Sequence, residues 1–132
     1  MNKKEFFVKL HQELENRYKL PVCDIETIRS KSFTKESFIL FLQTKIDNIT
    51  KLVEQLNKTL EKRKNFRLDN PSYIESNNKK IQGLEIHIKQ ALDSITKKQI
   101  TIEIAKSLTE IAWKDITQKT EFDKHTEVVN QK

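Results

Sequence analysis

Apolar residues recur at three- and four-residue intervals along almost the whole chain, which is the period of an amphipathic α-helix. Phe7, Leu10, Leu14 and Tyr18 lie at this spacing, with Phe6 beside them, and predict a first helix over about 3–19. Pro21 stops it, because its ring fixes φ and it has no N–H to give. Residues 20–34 read as a connection in which Ile25 and Ile28 anchor a short turn of helix against the core.

The second helix, over about 35–66, has a strong start signal. Thr34 suits the N-cap, and Phe33 with Phe38 at the fourth helical position forms a hydrophobic staple. Ile39, Ile46, Val53 and Leu60 then fill one heptad position, and Leu42, Ile49 and Leu56 fill the position three residues on. That 3,4 alternation draws a narrow seam. Phe38 and Leu52 broaden it, and Arg63 closes it.

A reversal follows at "RLDNPSYIES", where Asn70–Pro71 is a turn signal, Pro71 suits a first helical position, and Ser72 with Glu75 reads as a capping box. From about 72 to 118 a second seam runs through Ile74, Ile81, Leu84, Ile88, Ala91, Ile95, Ile102, Ala105, Ala112 and Ile116. It is weakened at Asn77, Lys98 and Thr109, and Lys98 beside β-branched residues marks 96–101 as the expected kink. "LEIHIK" and "QITIEIA" also alternate with period two, as strands do. Both continue the helical period on either side, and no Gly or Pro lies between them to turn a hairpin.

The expected fold is therefore all-α: an elongated helical bundle, or an antiparallel coiled-coil hairpin with an additional N-terminal helix, in a single domain over 1–132. It has three long helices, or four if the last breaks near residue 98, and a tail over 120–132 that frays. Composition agrees. One Gly and two Pro leave little for tight turns or phosphate-cradling loops, and 33% charged residues suit long helices with solvated faces.

Charge adds a candidate surface. The formal net charge is +6, and the excess of bases lies in the first half, since residues 69–132 carry ten of each sign. Lys58, Lys62, Arg63, Lys64 and Arg67 cluster at the end of the second helix, and the reversal brings Lys79 and Lys80 to the same tip. Such a tip can neutralise phosphates, with Phe66 and Tyr73 as stacking rings, which makes nucleic acid one candidate partner. Cations at a helix C-terminus also complement the macrodipole with no ligand at all.

The other candidate surface is apolar. Ile104, Leu108 and Ile111 lie off the main seam, with Trp113 and Phe122 nearby, so this helix is apolar on more than one face. Such a helix is central to a bundle or covered by a second chain. On the second reading the face binds a protein partner or another copy, with Trp113 as its anchor.

Little in the sequence points to catalysis. His11, His87 and His125 stand far apart, and Glu121 with His125, four residues apart, is a pair at metal-ligand spacing. Cys23 is the sole cysteine, so no internal disulfide can form. No cofactor, metal or small-molecule substrate is expected. Neither a secretory leader nor a membrane span is apparent, and a cytoplasmic location is the expectation. The Lys, Ile and Asn bias is that of an AT-rich genome such as a bacterium or phage. The sequence thus predicts a non-enzymatic helical interaction module of adaptor, chaperone or inhibitor type. A nucleic-acid accessory protein is the alternative.

Overall fold

A computed structural model describes residues 2–66 and 70–120. It is all-α. Among the described residues there are five helices and no strand: α1 Lys3–Tyr18, α2 Val22–Lys31, α3 Lys35–Lys64, α4 Pro71–Ser107 and α5 Glu110–Thr117. No helix is long and apolar enough to cross a membrane.

Local chemistry explains most boundaries. Asn2 caps α1 by accepting from the Glu5 N–H at 2.8 Å. The helix closes on Lys19, whose φ of 66° turns the chain left-handed two residues before Pro21. Thr34 accepts from the Ser37 N–H at 3.1 Å and so caps α3, while the Phe33 and Phe38 rings meet at 6.3 Å as the staple requires.

Three expectations are corrected. Residues 22–31 form a helix of their own rather than a connection, and both Ile25 and Ile28 are fully buried. The cap of α4 is Asn70, which accepts from the Ser72 N–H at 2.9 Å, not the Ser72–Glu75 box. Pro71 occupies the first helical position and has no N–H of its own, so the capping site falls one residue before it. Finally, α4 runs unbroken through Lys98, whose ammonium donates to Ser94 at 3.0 Å, one turn back along the same helix. The long helix predicted over 72–118 instead divides at 108–109, where Thr109 caps α5 by accepting from the Ala112 N–H at 3.1 Å.

The chain forms two compact units, with α3 and α4 contributing to both. Unit 1 comprises residues up to Leu40 together with the chain from Thr101 onward. Here α1 packs on α2 and α2 on α5. Leu20, Ile25, Ile28, Phe38, Ala105 and Ile116 have no solvent exposure. Each large aliphatic or aromatic side chain so buried stabilises the fold by about 1.5–3 kcal/mol.

Unit 2 is Phe41–Ile100. Apart from half-buried Phe41, its buried and half-buried apolar positions lie on the two seams: Leu42, Ile46, Ile49, Val53, Leu56 and Leu60 in α3, and Ile81, Leu84, Ile88, Ala91 and Ile95 in α4, while Ile74, expected on the second seam, is exposed. The two helices meet at a polar point. Buried Asn77 donates to the Arg63 carbonyl at 2.9 Å and accepts from its guanidinium at 3.5 Å.

Candidate functional sites

Unit 1 contains an open cleft of about 870 Å³. Lys3 and Phe7 of α1 line it, as do Arg29 at the end of α2, the turn from Ser32 to Lys35, and Trp113 and Lys114 of α5. The turn is shaped by Ser32, whose φ of 52° is the left-handed conformation that ends α2. Phe33 then points its carbonyl at the Trp113 indole N–H, 3.1 Å away. The indole is 8% exposed and lies 5.9 Å from the Phe38 ring, so Trp113 joins the core to the wall of the cleft.

Two cations in this wall are held by backbone. Lys35 donates to the carbonyls of Lys106 (3.0 Å) and Leu108 (2.7 Å), clamping the end of α4 to the start of α3. Arg29 donates to the carbonyls of Ile116 and Gln118, both at 2.9 Å, and so satisfies the C-terminal end of α5. Lys3 and Arg29 also lie over the Phe7 ring, 6.0 and 5.9 Å from its centroid.

A second groove, of about 640 Å³, lies along α5 between Tyr18, Ile111, Lys114 and Asp115, and shares Lys114 and Thr117 with the cleft. Tyr18 and Arg17 at the end of α1 both donate to one oxygen of Asp115, Arg17 at 2.6 Å. The phenol's hydrogen bond, reinforced by Arg17 and opposed by partial burial, holds the Asp115 carboxyl below its ordinary value of 3.8. The same bond raises the Tyr18 phenol above 10.0, because the proton it donates is held by the carboxylate.

The residues predicted as an apolar partner face divide between these surroundings. Ile111 is 82% exposed, at the start of α5. Ile104 and Leu108 are half-buried. Trp113 faces inward, reaching solvent only along the cleft. Phe122 lies outside the described residues, as do Glu121 and His125.

At the predicted basic tip, in unit 2, Lys58, Lys62, Lys64 and Lys80 are exposed. Lys79 is exposed as well and pairs with Glu75 at 3.8 Å, one turn away. Arg63 is half-buried, with its guanidinium 5.4 Å from the Phe66 ring as well as against Asn77. Arg67 lies outside the described residues. Phe66 and Tyr73 are 52% and 64% exposed.

No group of three or more His, Cys, Asp or Glu placed to hold a metal occurs among the described residues. His11 is buried against Phe7, with Nδ1 3.6 Å from Glu26, while His87 and Cys23 are exposed. The cleft and the Arg17–Tyr18–Asp115 cluster carried no signal in the sequence, since their members come from opposite ends of the chain. No known protein family, curated protein or solved structure matches this chain.

Proposed function

We propose that the protein is a non-enzymatic interaction module that binds another protein through unit 1, on the edge formed by α5 and the turn before it. The observation that carries this is Ile111. A large aliphatic side chain stands 82% exposed beside an open groove, on a helix whose opposite face is locked into the core by Trp113 and Ile116. A rigid helix presenting an apolar side chain next to a groove suits docking, because little conformational freedom is lost on binding. Half-buried Leu108 and Ile104 extend the apolar character toward α4.

A photo-activatable residue at position 111, in the cells that make the protein, tests this. The expected result is a discrete adduct with one other protein, absent when the same residue replaces exposed Gln43 in unit 2. Indistinguishable labelling from the two positions would refute it.

A second reading has its own support in the exposed rings of Phe66 and Tyr73 and in exposed Lys62 and Lys64, all of unit 2. On this reading the tip of unit 2 takes single-stranded nucleic acid by stacking and phosphate neutralisation. Binding to random DNA and RNA should then fall steeply with salt and be lost in Lys62→Glu/Lys64→Glu. Absence of binding at low salt would eliminate it.

A further inference from the structure

Neither the Ile111 edge nor the basic tip makes use of the cleft in unit 1. Among the described residues its charged lining is five cations, Lys3, Arg29, Lys35, Lys114 and Lys119, and two carboxylates, Glu36 and Glu110. Both carboxylates sit in the first turn of a helix, where the macrodipole already favours them. The cations come from α1, α2, α3, α5 and the residues after α5, so the positive charge is distributed among elements rather than set on one loop. Lys35 and Arg29 are pinned by backbone carbonyls and keep their charge in fixed positions. Between these charges the wall is aromatic, from Phe7, Phe33 and Trp113.

We infer that this cleft receives a short, extended acidic segment of a partner protein, with one apolar side chain against the aromatic wall and its carboxylates facing the lysines. Size sets the first limit. About 870 Å³ lies within the ~300–1,000 Å³ of sites that hold small ligands, so a few residues fit and a whole helix does not. Charge sets the second. Among the described lining residues cations outnumber carboxylates, which suits a ligand that carries several negative charges.

A nucleotide fits less well. Trp113 is 8% exposed and its N–H is taken by Phe33, so little of the ring is left for stacking. The Phe7 ring has Lys3 and Arg29 over it. Unit 1 contains no glycine to form a phosphate-cradling turn, because Gly83, the one glycine of the chain, belongs to unit 2.

The inference rests on the reading of unit 1 as a protein-binding unit but uses a surface separate from Ile111, and its test keeps the two apart. Trp113 is the only tryptophan, so its emission reports directly on the cleft. The probe is a short synthetic peptide of Asp and Glu around one Leu, titrated into the full chain at physiological salt and checked by calorimetry. A saturable change in emission is expected. Lys3→Glu/Lys119→Glu, neither of which lines the Ile111 groove, should weaken it by about tenfold or more, and Lys3→Gln/Lys119→Gln by less, since only the first places two like charges against the ligand. Lys58→Glu/Lys62→Glu changes the net charge equally and should alter it by less than about twofold, as should Ile111→Glu, both lying outside the cleft.

No saturable signal by either method, equal weakening by the unit 2 pair, or tighter binding of ATP than of the peptide would overturn the inference. If the peptide fails while position 111 still cross-links to a partner, the cleft assignment falls and the Ile111 reading stands. If the peptide binds and position 111 labels nothing, the reverse holds.

Discussion

The two units bury their side chains in different ways. In unit 1, six apolar residues lose all contact with solvent, and polar bonds join positions far apart in sequence, such as Arg17 to Asp115 and Trp113 to Phe33. In unit 2 the deepest apolar residue, Leu42, keeps 2% exposure, Val53, Leu60 and Ala91 keep 8–9%, and the rest of the seam is half-buried except Ile74, which is exposed. Two helices facing each other can shield one stripe apiece, whereas five helical segments meeting can enclose a side chain on every side. Enclosure also creates concave walls. Both grooves described above accordingly lie in unit 1.

The sharpest way to break this contrast is to truncate one side chain in each core. Phe38→Ala should cost about 3–5 kcal/mol, because the ring is fully enclosed and its space cannot collapse. Leu56→Ala, on the half-buried seam, should cost about 1–2 kcal/mol, in proportion to the smaller area it hides. Urea unfolding of the two variants measures the difference. Equal losses would mean that unit 2 is packed as tightly as unit 1.

Next comes specificity. Asn77 places a buried amide on the seam of α4 and bonds it to Arg63 of α3. A polar residue at such a position fixes register and partner at some expense of stability. Asn77→Leu should change the melting temperature less than Leu56→Ala does, yet produce a dimer fraction that light scattering detects. A strictly monomeric variant would show that Asn77 sets nothing.

A smaller effect concerns the Arg17–Tyr18–Asp115 cluster in unit 1. Asp115 titrates lower in the folded state than its ordinary 3.8, so it contributes stability at neutral pH that is lost as pH falls through the folded value. Asp115→Asn should therefore lower the melting temperature at pH 7, and the gap to wild type should close well below pH 3.8. Tyr18→Phe should move the Asp115 titration upward, readable by carboxyl NMR, because it removes the strongest donor. A gap that persists in acid would place the effect in packing instead.

The smallest change is expected at Ile111. Ile111→Asn should shift stability by less than about 0.5 kcal/mol, as surface substitutions do, while abolishing any partner contact made there. A larger loss would indicate that Ile111 supports the fold.

How much of this was written in the sequence depends on distance along the chain. The Phe33–Phe38 staple, the Thr34 cap, Pro71 at the head of α4 and the two seams are all set within a few residues, and all are legible. The α2 helix was not, because Val22–Lys31 is one short amphipathic stretch between Pro21 and a left-handed Ser32, with no glycine to mark its end. The break near 108 was misplaced for a related reason. Lys98 looked worse on the seam than Thr109, but a lysine can reach a neighbouring hydroxyl and stay helical, while a threonine before Glu110 caps a new helix. The cleft was invisible because it joins residues from Lys3 to Lys119. Trp113 could be singled out by type, but only the fold turns its indole inward.

We propose that an acidic peptide is taken by unit 1 and not by the tip of unit 2. Amide chemical-shift mapping of the full chain on addition of the acidic peptide tests it most directly. The account predicts shifts at Phe7, Phe33, Lys35, Trp113 and Lys114, with residues 58–66 and 73–80 unmoved. Shifts concentrated at that tip, with the cleft unmoved, would contradict it.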